Sequence, residues 1–188
     1  MGLPKILVYA IIIVILVVPS TRDKASTILQ SAVIHSGMVN ASAEGMSKEA
    51  FNYDFVVKDL SGKEVEFKDF RGKVIFINLW ATWCGPCRSE MPSIQELYNG
   101  MDKEKIVFVM LSLDEQNRSE KVKSYISQMG FSFPVFMPQG QLANQLYVET
   151  IPTTFIIDKN GYIIAKEIGM RNYNTDKFKR YLEDLSSK

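Results

Sequence analysis

Val74-Ile75-Phe76-Ile77-Asn78-Leu79-Trp80-Ala81-Thr82-Trp83-Cys84-Gly85-Pro86-Cys87 is the stretch that decides how this chain is read. Val74 to Trp80 is a dense, mostly apolar run that starts after Gly72 and ends just short of the cysteines. Such a run fits a strand buried on both faces of a sheet. Beyond Cys87, Met91, Ile94, Leu97 and Tyr98 recur at helical spacing. The two cysteines therefore stand where a buried strand gives way to a helix. The first turn of a helix leaves backbone N–H groups unpaired and carries about half a positive charge. That field favours the thiolate at Cys84, and the thiolate is the form that attacks a disulfide. Pro86 suits the first turn, where its missing N–H costs nothing. Gly85 lets the backbone bend and leaves room for an approaching chain. The expectation is that Cys84 attacks a partner's disulfide and Cys87 resolves the mixed disulfide.

Cysteine usage supports this reading. The chain has two cysteines in all, separated by Gly85 and Pro86. A disulfide scaffold spreads its cysteines to close long loops, and a ring this small restrains little of the unfolded chain. Half of a structural zinc site also reads C-x-x-C, but two further ligands are missing and the one histidine, His35, lies far upstream. No cofactor and no metal site is expected.

Working outward, the N-terminus carries Lys5 and then an unbroken apolar run from Ile6 to Val18. It is shorter than the roughly 20 residues of a full membrane span. Residues 1–20 are therefore expected to be a signal peptide or a membrane anchor. Residues 21–47, rich in Ser, Thr, Ala and Gly, read as a linker. Residues 48–188 are expected to form the folded domain. Short strands are expected at Phe55–Val57 and Val65–Phe67 around a Ser61-Gly62 turn, and a second buried strand at Ile106–Leu113. An amphipathic helix through Val122, Tyr125, Ile126 and Met129 follows. Phe133–Phe136 reads as a strand and Leu142–Tyr147 as a short helix. Thr154–Ile157 and Tyr162–Lys166 flank the Lys159-Asn160-Gly161 turn, and Phe178, Tyr181, Leu182 and Leu185 mark a closing helix. This order implies an α/β sandwich with mixed strand directions.

From Asn78 through Cys84, Cys87, Glu90 and Pro92, the chain resembles the active-site segment of the thioredoxin superfamily, and is most similar to its TlpA/ResA-type branch. The resemblance runs from about Phe51 to the C-terminus. It takes in Asp59–Lys63, Phe70–Lys73, Ile151-Pro152-Thr153-Thr154-Phe155 and the extra strand and helix near 133–147. It implies a thioredoxin-like three-layer α/β/α sandwich with a mixed sheet, an N-terminal hairpin and a central strand–helix insertion. It also implies thiol–disulfide exchange outside the cytoplasm, often in cytochrome c maturation. Carried over residue by residue, Pro152 matches a cis-proline beside the cysteines that presents the Ile151 backbone to an extended substrate. Pro92 matches a helix-kinking proline. Glu90 matches an acidic residue that exchanges protons with Cys87 or tunes the pair. Its alternative role is a first-turn glutamate favouring the helix dipole. Trp83, Gly85 and Pro86 join Ile151 and Pro152 as the expected docking surface, and Trp80 is expected in the core. Asn78 departs from the pattern, because many thioredoxins carry a buried, ionisable aspartate there.

Charge is balanced, with 22 Lys and Arg against 21 Asp and Glu, so nothing points to nucleic acid as a partner. A copper chaperone using both thiols is the rival reading, since soft sulfur suits Cu(I); a peroxidase is a second, but the resemblance places its cysteine in a different loop. The Gly-Pro pair resembles reducing members of the superfamily. A reductase in the periplasm or another extracytoplasmic space needs electrons from inside. A membrane thiol-transfer donor, protein disulfide or thiol substrates such as apocytochrome c, and an inner-membrane tether through residues 6–18 are therefore expected.

Overall fold

The computed structural model describes residues 49–187 and, ahead of them, residues 29–30, 32–34, 36 and 38–41. The apolar run 6–18 and His35 lie outside the described residues. Strands β1 (Glu49–Ala50), β2 (Val56–Asp59) and β3 (Glu64–Glu66) lead into β4 (Val74–Trp80), helix α1 (Gly85–Gly100) and β5 (Ile106–Ser112). Helix α2 (Ser119–Met129), β6 (Val135–Gln139), β7 (Thr153–Ile157), β8 (Tyr162–Ile168) and α3 (Asp176–Ser187) complete the chain.

All seven residues of β4 are buried, as the apolar run implies. It pairs in parallel with β5 and antiparallel with β7 at the centre of an eight-stranded sheet of order β1-β8-β7-β4-β5-β6-β2-β3. The β2–β3 hairpin is closed by Asp59, whose Oδ1 accepts from the N–H groups of Ser61 and Lys63. The β7–β8 hairpin turns through Gly161 at φ 84°, a left-handed conformation that glycine adopts without strain.

Side chains along β4 alternate between two cores. Val74, Phe76 and Trp80 face a cluster built with Met91, Ile94 and Leu97 of α1, Val122 and Ile126 of α2, and Phe178 and Leu182 of α3. Ile75, Ile77 and Leu79 face a second cluster with Phe51, Phe55, Phe67, Leu146 and Phe155. The three α-helices thus bury their apolar stripes on one face. The other face is closed by the aromatic segment 51–55 and by short 3-10 turns at Phe67–Phe70 and Asn144–Leu146. The helix expected at Leu142–Tyr147 is only this last turn. The strand expected to end at Phe67 stops one residue earlier, because Phe67 opens a 3-10 turn and is fully buried.

Described residues of the stretch expected to be a spacer lie against the domain. Ile34 is 1% and Ala41 3% exposed. The Asn172 N–H donates to the Val39 carbonyl at 2.8 Å and the Ala41 N–H to the Asn172 carbonyl at 3.2 Å. The segment has no sustained period, so the sequence carries no sign of this docking; Ile34, Ala41, the backbone pairing at Asn172 and side-chain hydrogen bonds from Asn172 and Ser89 provide it. Ile34→Asp places a charge in that apolar contact. It is expected to free the strap, with protease cleavage within residues 29–41 rising by about tenfold or more while the domain's unfolding transition shifts little. An unchanged cleavage rate would show that Ile34 does not hold the strap.

Candidate active site

The helix after the cysteines starts for a local reason. Cys84 is the N-cap of α1, with extended backbone, and its Sγ accepts from the Cys87 N–H at 3.2 Å. The sulfur takes the place that a Ser or Asp oxygen holds at an ordinary cap. Gly85 and Pro86 form the first turn, where proline is tolerated. The loop ahead is pinned from just beyond β5: Asp114 accepts from the Thr82 N–H at 2.7 Å, the Thr82 hydroxyl at 2.6 Å and the Ser112 hydroxyl at 2.9 Å. Asp114 is itself 5% exposed. Strand end, loop and helix start are therefore one rigid unit, and it aims Cys84.

The sulfurs of Cys84 and Cys87 are bonded to each other, so the structure shows the oxidised site. Cys84 reaches the surface at 5% exposure, whereas Cys87 is fully buried. Trp83 is 63% exposed beside them, and Pro86 is exposed as well. The Ile151–Pro152 bond is cis, and the Ile151 carbonyl oxygen lies 3.8 Å from Cys84 Sγ. Trp83, Cys84, Gly85, Pro86 and Cys87 are contiguous, and Ile151 meets them from the β7 side, so these residues come together, with Trp83 and Pro86 exposed and Cys87 and Pro152 buried. Trp80 is in the core. Pro92 lies inside α1, where its missing N–H leaves the Arg88 carbonyl without its helical donor.

Glu90 is not on the helix surface. It is fully buried, over a polar track that crosses three strands. Asn78 of β4 pairs in register with Thr154 of β7, and Thr154 with Glu167 of β8. Glu90 Oε1 accepts from Asn78 Nδ2 at 2.7 Å, and Oε2 from the Arg171 N–H at 3.0 Å. Asn78 Nδ2 also donates to the Thr154 hydroxyl at 2.9 Å, which accepts from the Tyr173 hydroxyl at 2.7 Å. The Arg171 guanidinium pairs with buried Glu167 at 3.0 Å. Burial pushes the Glu90 carboxyl up to about 8, against the lowering effect of its bonds from Arg171 and Asn78 and of the Arg171 charge. Tyr173 is raised further still by burial, with the nearby carboxylates adding to it.

Sequence reasoning missed Thr154, Tyr173, Arg171 and Asp114. Thr154 carried a signal, as one of two threonines opening a strand that is otherwise Phe and Ile. The loop residues carried none. Gln30 was also missed: Ser89 donates its hydroxyl to Gln30 Oε1 at 2.7 Å, which seats the strap on the first turns of α1 next to Gly85. Among the described residues, no group of three or more His, Cys, Asp or Glu side chains could hold a metal ion.

The carboxyl at position 90 binds its proton more tightly in the folded state than in the unfolded chain. Its contribution to stability is thus complete below the ordinary glutamate range and is lost as pH rises through about 8. Between those limits the loss is on the order of 1 kcal/mol per pH unit. Denaturant unfolding of Glu90→Gln against the parent chain is expected to show the variant gaining in relative stability across that window. A difference that does not change with pH would place the Glu90 titration outside it.

Residues 49–166 match the AhpC/TSA family. A thiol–disulfide oxidoreductase ResA of Bacillus thuringiensis is 42% identical over 125 residues, which is 66% of this chain and 70% of that protein. A ResA of Geobacillus kaustophilus is 38% identical over 133 residues, 70% of this chain and 74% of that one. A thiol:disulfide interchange protein of Chlorobium tepidum superposes with a TM-score of 0.62 at 27% identity, covering 75% of this chain and 99% of its own. StoA of Bacillus subtilis gives 0.54 at 26% identity, covering 71% and 93%. With a thioredoxin-like fold, a Cys84–Cys87 disulfide at the start of α1 and these matches along most of its length, the chain belongs to the AhpC/TSA family and, within it, to the ResA-like thiol–disulfide oxidoreductases.

Proposed function

We propose that this chain reduces protein disulfides outside the cytoplasm, with Cys84 as nucleophile and Cys87 as resolving thiol. The observation that carries this is the asymmetry of the pair. Cys84 caps the helix, receives the Cys87 N–H and reaches the surface beside exposed Trp83, while Cys87 is fully buried. A partner's disulfide can meet only the first sulfur. The Cys84 thiolate attacks one partner sulfur, and the other leaves as a thiolate and takes up a proton. Cys87 then gives up its proton and attacks Cys84 Sγ. This releases the partner as a dithiol and leaves the Cys84–Cys87 disulfide seen here. Two electrons and two protons from a dithiol donor restore the reduced pair.

Ile151 and Pro152, with Trp83, Gly85 and Pro86, form the docking surface in this reading. The Ile151 carbonyl beside Cys84 is placed to pair with an extended substrate strand. Glu90 stands three residues after Cys87 on the same helix. With its carboxyl pushed up to about 8 by burial, it holds a proton near neutral pH and can supply or receive one as Cys87 changes state.

The pathway reading is extracytoplasmic thiol reduction with apocytochrome c as the leading substrate and a membrane thiol-transfer protein as donor. It is supported by the likeness to ResA proteins and by the N-terminal apolar run 6–18, which would hold the domain at the inner membrane and which residues 21–47 would join to it. Among the described residues, no helix is long and apolar enough to cross a membrane.

Cys84→Ser is expected to abolish thiol–disulfide exchange. Cys87→Ser is expected to accumulate a mixed disulfide on Cys84, which mass spectrometry identifies together with its partner. Full turnover in the Cys84 variant would sink the proposal. Recovery of copper without any disulfide-linked protein would move the assignment to metal handling.

A further inference from the structure

The hydrogen bonds around Glu90 contain a conflict. Both partners of its carboxylate are donors: the Asn78 amide NH2 on one oxygen and the Arg171 backbone N–H on the other. That arrangement suits the ionised form and offers no acceptor to a carboxylic O–H. Full burial works the other way and favours the neutral acid. The Arg171 N–H is a backbone donor and cannot reverse. The Asn78 amide can.

Asn78 shows where the slack lies. Its Nδ2 makes both of the side chain's hydrogen bonds, to Glu90 and to Thr154, while its Oδ1 is buried with no partner. Half a turn about the side-chain amide exchanges the two atoms. Oδ1 then faces Glu90 Oε1 and accepts the carboxylic proton. It also faces the Thr154 hydroxyl, which can donate to it while still accepting from Tyr173. Each hydrogen of the chain Tyr173, Thr154 and Glu90 then has an acceptor, while the Asn78 NH2 takes the unpartnered place that its Oδ1 leaves, a desolvation cost that the neutral acid's bond has to offset.

We infer that Asn78 is a proton-linked switch, with NH2 towards Glu90 when the carboxylate is ionised and carbonyl towards it when the acid is neutral, and that Thr154 is the positioning residue which supports the second state. The charged and titratable groups facing this site are Arg171, whose charge lowers the Glu90 carboxyl, Glu167, which pairs with the Arg171 guanidinium, and Tyr173. Cys87 lies one turn earlier on the same helix. An asparagine in place of a carboxylate two residues before the end of β4 thus does more than fill space. It changes partner polarity without itself gaining or losing charge. The inference rests on the proposed role of Glu90 only for its consequence in turnover.

Neutron diffraction of the intact oxidised protein, in crystals held well below and well above the Glu90 titration, reads amide orientation directly. The expected result is opposite orientations of Asn78 in the two maps; one orientation in both overturns the switch. In solution, the carboxylic C=O infrared band of Glu90 is titrated in Thr154→Val and Thr154→Ser. Loss of the hydroxyl in the valine variant is expected to raise the acid dissociation constant of Glu90 by roughly three- to tenfold, with serine restoring the parent value. A threonine that merely packs predicts the reverse order, since valine keeps its shape and serine does not, and that result would remove Thr154 from the switch. Both readouts concern one proton and one amide. A failure of thiol exchange would therefore leave the switch untouched, and a failure of the switch would leave thiol exchange standing.

Discussion

The structure depends on how the strand-to-helix junction at Cys84 is held. A buried strand, a short loop and a helix N-terminus meet there, and each is fixed by a different force. Strand β4 is locked by ladder bonds on both edges and apolar packing on both faces. The loop is held by the buried Asp114 carboxylate, which satisfies a backbone N–H and two hydroxyls at once. The helix end has unpaired N–H groups, and the sulfur of Cys84 takes one of them. A reactive sulfur must be stabilised without being enclosed. Capping meets both needs, because the N-cap residue lies outside the helix while its side chain turns back over the first turn.

Beneath this junction lies a polar layer that an ordinary core would not contain. Asn78, Glu90, Thr154 and Tyr173 are wholly buried and Glu167 nearly so. Such a layer is tolerable only when its groups satisfy one another. Glu167 has Arg171, and Tyr173 has Thr154. The remaining tension is concentrated at Asn78 and Glu90. Arg171 joins the two carboxylates through different atoms, its backbone to one and its guanidinium to the other. The neighbouring residue, Asn172, pairs with the upstream strap. The geometry at Glu90 therefore reaches, through one short loop, the segment that precedes the domain.

The central part of the fold was legible because its signals are local and periodic. The run Val74–Trp80, the spacing after Cys87 and the Lys159-Asn160-Gly161 turn each encode one element. The hairpin around Asp59 and the closing helix were legible for the same reason. In the site, Cys84, Cys87, Trp83, Pro86 and Pro152 stood out by residue type or by likeness to a family. Glu90 was visible as a candidate, but its burial was not. Its partners come from β4 and the loop after β8, and no spacing in the sequence joins them. Thr154 and Tyr173 stand 19 residues apart in the chain and meet only when the loop after β8 folds back over β7. The strap escaped notice because docking through Ile34 and Ala41 leaves no repeat to detect.

The ends of the sheet have a consequence of their own. Among the described residues, one outer strand, β1, is two residues long, and the other, β3, is three, with charged Glu64 and Glu66 pointing to solvent. Long open edges recruit other extended chains and seed aggregation, whereas short or charged ones resist it. Two short borders, one of them charged, leave little free edge on which a second extended chain could be added.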